Sequence, residues 1–163
     1  INIIGLDFKV IEVPGHTLDH IAFYLEKDTE SHLFCGDTIF SSGCGRVFEG
    51  TFKQMHDSIS KLCKLPESTK IYCAHEYTLS NLAFAKVAEP NNKKILEREI
   101  EVKNLQARNI PSIPTTIAKE KEFNPFLRCA EKDMINSLIN KFNLTNTDPV
   151  NIFSELRRWK DSL

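Results

Sequence analysis

Leu33-Phe34-Cys35-Gly36-Asp37-Thr38-Ile39-Phe40-Ser41-Ser42-Gly43-Cys44-Gly45-Arg46-Val47-Phe48-Glu49-Gly50 is the stretch on which the fold turns. It opens as an apolar run of strand length and ends in a glycine-rich loop. A single carboxylate, Asp37, stands where the strand should stop. Arg46 and Phe48 follow between Gly45 and Gly50, so a charge and an aromatic ring are carried on a permissive loop.

Strand and turn signals continue on both sides. Upstream, Phe8–Val13 is rich in β-branched residues and stops at Pro14-Gly15. His16-Thr17-Leu18-Asp19-His20 reads as a short polar loop, and Ile21–Leu25 as a second strand before Ser31–Gly36. Short strands joined by tight turns indicate an antiparallel or mixed sheet. Downstream, Thr51-Phe52-Lys53-Gln54 is a capping box that predicts a helix over 52–64. Lys70–Ala74 reads as another strand, ending at His75-Glu76-Tyr77. Thr78 then reads as the cap of a helix running to Ala88.

Beyond Asn91 the pattern is helical. A charged helix over 92–108 would turn Ile95, Ile100 and Leu105 inward, and a stripe of Met134, Ile135, Leu138, Ile139 and Phe142 marks a helix over 131–142. Asp148-Pro149 starts a last helix to about Lys160. The expected class is therefore α+β, with a sheet-containing unit over 1–82 and an all-helical unit over 83–163.

The 163 residues carry a net charge of −1, which argues against general nucleic-acid binding. Residues 1–88 have a net charge of −3 and residues 89–163 of +2, a difference that solvated helix surfaces can account for. The five cysteines are odd in number and none has C-x-x-C spacing; Cys35, Cys63 and Cys73 sit in apolar surroundings. That usage suggests a reducing, cytoplasmic setting. No apolar run reaches membrane-spanning length, so no membrane partner is expected.

Three donors stand just past predicted strands: His16, Asp37 and His75. Imidazole and carboxylate suit zinc, iron or manganese. A lone histidine is more often a hydrogen-bonded residue than a ligand, and His32 and His56 are read that way. His20 could be a ligand, a loop anchor or a group hydrogen-bonding a ligand, and the last is preferred. For the other three, their joint occurrence at strand ends outweighs the bland reading. A metal lowers the pKa of bound water to about 7, which makes hydrolysis the natural chemistry. No Gly-x-Ser-x-Gly elbow competes with it. Arg157 and Lys160 share a helix face and, with Arg46, could bind an anion; spacing alone favours a solvated basic helix end.

Pro14-Gly15-His16-Thr17-Leu18-Asp19-His20, Gly36-Asp37-Thr38 and Ala74-His75-Glu76-Tyr77-Thr78 resemble metal motifs of the metallo-β-lactamase superfamily. Gly43–Gly50, Asn124-Pro125-Phe126-Leu127-Arg128 and Arg157-Arg158-Trp159-Lys160-Asp161 resemble, within it, the glyoxalase II family of hydroxyacylglutathione hydrolases. The resemblance implies the second half of an αββα sandwich followed by a helical domain. It implies hydrolysis of S-D-lactoylglutathione to glutathione and D-lactate, with a glutathione thioester as partner, no nucleic acid, and a monomer expected. It implies two divalent metals, with His16 on one, His75 on the other and Asp37 bridging, and no catalytic side chain apart from the metal-bound hydroxide. Arg46, Phe48, Tyr77, Arg157 and Lys160 match substrate-binding positions.

Arg46 stands where lysine is also common in that family, and Phe48 where tyrosine is often found. The family's first motif, Thr-His-x-His-x-Asp-His, does not occur in these 163 residues. The expectation is a C-terminal portion of such a protein that is poorly metallated and inactive alone, with one sheet face uncovered. Two rival readings are a superfamily relative such as a sulfur dioxygenase and a metal-free, non-catalytic binding module.

Overall fold

The computed structural model describes residues 1–163. A small hairpin, β1 (Asn2–Ile3) and β2 (Leu6–Asp7), precedes β3 (Lys9–Glu12), β4 (Ile21–Leu25) and β5 (His32–Gly36). The loop after Asp37 folds back on itself as a hairpin of β6 (Ile39–Phe40) and β7 (Gly43–Cys44). Helix α1 (Phe52–Leu62) then leads to β8 (Lys70–Cys73), α2 (Thr78–Ala88) and α3 (Lys93–Ala107). The chain ends with β9 (Thr115–Thr116), α4 (Ile117–Phe123), a 3-10 turn over Pro125–Leu127, α5 (Lys132–Phe142) and α6 (Pro149–Asp161).

The main sheet is mixed, with strand order β3-β4-β5-β8-β9. β3, β4 and β5 are antiparallel neighbours, while β5 and β8 run parallel. Only a crossover can join parallel neighbours, and α1 supplies it. The expected capping box is formed: Gln54 N–H donates to the Thr51 hydroxyl and the Thr51 N–H donates back to Gln54. Met55, Ile59 and Leu62 of α1 pack under the sheet with Leu33 and Ile71, and the same apolar cluster takes in Phe153, Leu156 and Trp159 of α6. The opposite sheet face leaves Val10 and Phe34 exposed, and Phe34 stacks on Tyr72 with ring centroids 4.9 Å apart.

Several details depart from the expectations. β9 joins the sheet after residue 91, where helices alone were expected; a two-residue strand has no periodicity to read. Thr78 is the first residue of α2 and not its cap, its hydroxyl lying 2.7 Å from the Ser112 hydroxyl. The inner face of α3 is Ile95, Arg98 and Val102, whereas Ile100 is exposed. Spacings of three and seven share a helix face, and five does not. Arg98 is tolerated inside because its guanidinium donates to the Ser112 carbonyl at 2.7 Å and to Glu101 at 2.7 Å.

The β6–β7 hairpin is tied down by side chains from the helical part. Asn124 Nδ2 donates to the carbonyls of Phe40 (3.1 Å) and Gly43 (2.9 Å). Asn81 Nδ2 donates to the Ser41 carbonyl at 3.0 Å, and the Ser42 N–H donates to Glu120 Oε2 at 2.7 Å. Glu120 and Asn124 are fully buried. Each backbone group that loses its partner in such a place costs about 1–3 kcal/mol. Asn124→Ala, which removes the donor to both carbonyls, should therefore lower the unfolding free energy by about 2–4 kcal/mol, measured by urea denaturation.

Candidate active site

β3 and β5 each run antiparallel to β4, and β8 runs parallel to β5. The carboxyl ends of β3, β5 and β8 therefore emerge on one sheet edge, the side where open sheets build their sites. His16, Asp37 and His75 follow those three ends. A cleft of about 520 Å³ opens there, and all three residues line it.

Each donor is held by a neighbour. His16 Nδ1 lies 2.8 Å from the Arg46 carbonyl oxygen, which can only accept. The proton is thus on Nδ1, leaving the Nε2 lone pair free. Phe48 packs on the His16 ring with centroids 4.9 Å apart, and Tyr77 stacks on His75 at 5.1 Å. His75 Nε2 lies 3.6 Å from Asp37 Oδ1. His20 is set behind the cleft, where its Nε2 accepts the Asp37 N–H at 3.0 Å. Gly36, at φ +54°, makes room for that bond: a Cβ there would fall 2.6 Å from His20 Nε2.

These donor types fit a divalent ion, but the set is incomplete. No three His, Cys, Asp or Glu side chains come close enough together to hold one. The structure pairs Asp37 with His75 and sets the His16 ring against His20, with centroids 5.6 Å apart.

The same cleft also carries cationic groups. Arg46 is exposed, its Nε 3.7 Å from Asp161. Arg157 is buried, donating to the Cys44 carbonyl at 3.1 Å and to Asp161 at 2.9 Å. It therefore braces β7 and the end of α6, and the basic-helix-end reading does not describe it. Lys160 Nζ donates to Asn81 Oδ1. Burial lowers Lys160 to about 8; Arg157 and Arg46 push the same way, against Cys44 and Asp161. Burial also raises the Cys44 thiol, opposed by Arg157 and Lys160. Phe48, Tyr77, Arg157 and Lys160 all line the cleft with Arg46.

Asn81, Asn124 and Glu120 had no assigned place in the sequence reading. Asn81 lies between apolar Leu79 and Leu82-Ala83-Phe84 on a predicted helix, and that is the available signal. Asn124 belongs to a motif quoted above, but its bonds reach residues more than 80 positions away.

Residues 2–75 match the metallo-β-lactamase superfamily. The fold is that of a metallo-β-lactamase from Staphylococcus aureus subsp. aureus COL, with a TM-score of 0.54 at 22% identity over 97% of this chain and 40% of that one. Residues 76–163 match the hydroxyacylglutathione hydrolase C-terminus, and the chain belongs to that family. It is 52% identical over 157 residues to the hydroxyacylglutathione hydrolase of Psychromonas ingrahamii, covering 96% of this chain and 60% of that protein. It is also 52% identical to the one from Pseudomonas syringae pv. syringae, covering 98% and 62%. The chain thus spans about three fifths of the length of these curated relatives. No helix is long and apolar enough to cross a membrane.

The low Lys160 value has a consequence for stability. Between about 8 and 10.5 the unfolded chain holds the Lys160 proton and the folded chain has released it. Stability contributed at this position therefore rises with pH through that window. Relative to Lys160→Met, the native chain should gain stability between pH 7 and pH 10, measured by urea denaturation of both at each pH.

Proposed function

We propose that these residues are the C-terminal portion of a metal-dependent thioester hydrolase that cleaves S-D-lactoylglutathione to glutathione and D-lactate. The observation that carries this reading is the shared cleft: His16, Asp37 and His75 at the sheet edge, and Arg46, Arg157 and Lys160 lining the same cavity. Glutathione carries two carboxylates, and a cationic wall next to a donor edge suits a molecule with an anionic body and a reactive acyl end.

In the complete protein, His16 and His75 would each serve one divalent ion and Asp37 would contact both, zinc being the first choice and iron or manganese the alternatives. Such an ion supplies hydroxide near neutral pH. The remaining roles belong to this chain's own groups. His20 holds the Asp37 backbone, and the Arg46 carbonyl fixes the tautomer of His16. Phe48 and Tyr77 keep the two imidazoles oriented and offer faces to the ligand. Arg46 and Lys160 bind the glutathione carboxylates, while Arg157 braces the wall they stand on.

The helical unit from residue 83 is read as the glutathione-binding part. The five cysteines are free thiols, which suits a reducing compartment such as the cytoplasm, and the protein is read as a monomer.

The test uses the complete protein. Arg46→Ala with Lys160→Ala should raise KM for S-D-lactoylglutathione at least about tenfold, as loss of charge-assisted hydrogen bonds implies. The KM for a small uncharged thioester should change little. Equal effects on both substrates would reject the anion-binding wall. Asp37→Ala should abolish turnover and reduce bound metal, read by elemental analysis; retention of both would reject its place at the metal centre.

A further inference from the structure

A second cavity, of about 610 Å³, adjoins the cleft, and Tyr77 and Ser80 line both. The Tyr77 ring stacks on His75 with centroids 5.1 Å apart and is half exposed. The apolar lining comes from Leu79 of α2, Val102 of α3 and Ile110 in the turn after α3. Val102 is buried, while Ile110 keeps 39% of its surface exposed. Gln106 follows Val102 by four residues and shares its side of α3. Glu76 is the only charged residue in the lining.

The turn that walls this cavity is tied to the segment bearing His75. Glu76 Oε1 accepts the Ser112 N–H at 2.7 Å and the Ser112 hydroxyl at 2.6 Å. The Thr78 and Ser112 hydroxyls lie 2.7 Å apart. Residues 109–111 therefore keep a fixed place next to His75-Glu76-Tyr77.

We infer that this cavity is an acyl subsite, taking the chain of 2-hydroxyacyl groups longer than lactoyl. The inference rests on the proposed reading of the cleft as a glutathione thioester site. That reading puts the thioester carbonyl at the His16–Asp37–His75 edge and the glutathione carboxylates at Arg46 and Lys160. A chain that leaves the carbonyl past His75 meets the Tyr77 ring, which also lines the second cavity. The anionic body of glutathione has no partner there, because the lining holds no cation and Glu76 repels a carboxylate. An alkyl chain does have partners in Leu79, Val102 and Ile110, and the gain grows with the apolar area it buries. Lactoyl carries only a methyl group beyond its hydroxyl-bearing carbon, so its turnover should not depend on the cavity.

The experiment uses the complete protein and two inert thioethers, S-methylglutathione and S-hexylglutathione, titrated by calorimetry. The hexyl group should tighten binding at least about tenfold. Ile110→Trp, which puts a larger ring into the cavity, should remove that advantage and leave the S-methylglutathione affinity unchanged. Gln106→Trp fills the same cavity from α3 and should do the same, so the test survives the misfolding of either variant. In turnover, both variants should lower kcat/KM for S-(2-hydroxyhexanoyl)glutathione at least about tenfold and leave that for S-D-lactoylglutathione unchanged. Equal affinity of the native protein for the two thioethers would overturn the inference. So would a hexyl advantage that both variants retain, or an equal loss of activity on both thioesters. Absence of S-methylglutathione binding, or of S-D-lactoylglutathione hydrolysis, would reject the reading of the cleft itself, and the inference with it.

Discussion

The β6–β7 hairpin leaves the sheet immediately after Asp37, and its backbone polar groups are buried away from water. Their satisfaction by three side chains is the constraint on which the site depends. Asn124, Asn81 and Glu120 take up the polar groups of Phe40, Ser41, Ser42 and Gly43. An unpaired amide or carbonyl in such a setting is expensive, so the hairpin has one well-determined position. Everything on the far side of Asp37 inherits it. The Arg46 carbonyl meets His16, Arg157 meets Cys44, and Asn81 reaches Lys160 with the oxygen that its hairpin bond leaves free.

The same bonds explain why the sheet-bearing and helical parts act as one body around the cleft. Sheet geometry brings His16, Asp37 and His75 to one edge, but only the donor half of the cleft comes from that geometry. The cationic half comes from α6 and the loop it braces. Apolar packing of Phe153, Leu156 and Trp159 against α1 and the sheet sets the height of α6. Basic groups sharing one cleft with histidine and carboxylate donors are the chemical signature of the site.

Much of this is legible in the sequence. Strand ends could be placed because Pro14-Gly15 and Gly36-Asp37 break apolar runs, and three donors at three ends pointed to one edge. The capping box at Thr51 and the Asp148-Pro149 start were legible because they are local. What escaped is non-local. Arg98 looks like a surface residue until the Ser112 carbonyl is placed beside it. Glu120 looks like part of a charged turn until the Ser42 amide arrives from 78 residues away. From spacing alone Arg157 and Lys160 read as a solvated pair, and only the family resemblance marks them as binding residues; one is buried bracing and the other a cleft lysine with lowered affinity for its proton. Charged residues inside a fold are recognisable only by their partners.

The most direct test of the shared cleft is a crystal structure of the complete protein with metal and glutathione. The account predicts glutathione carboxylates within hydrogen-bond reach of Arg46 and Lys160, and the glutathione sulfur turned toward Asp37 between His16 and His75. Glutathione bound away from the α6 wall, or with its sulfur turned from the sheet edge, would contradict it.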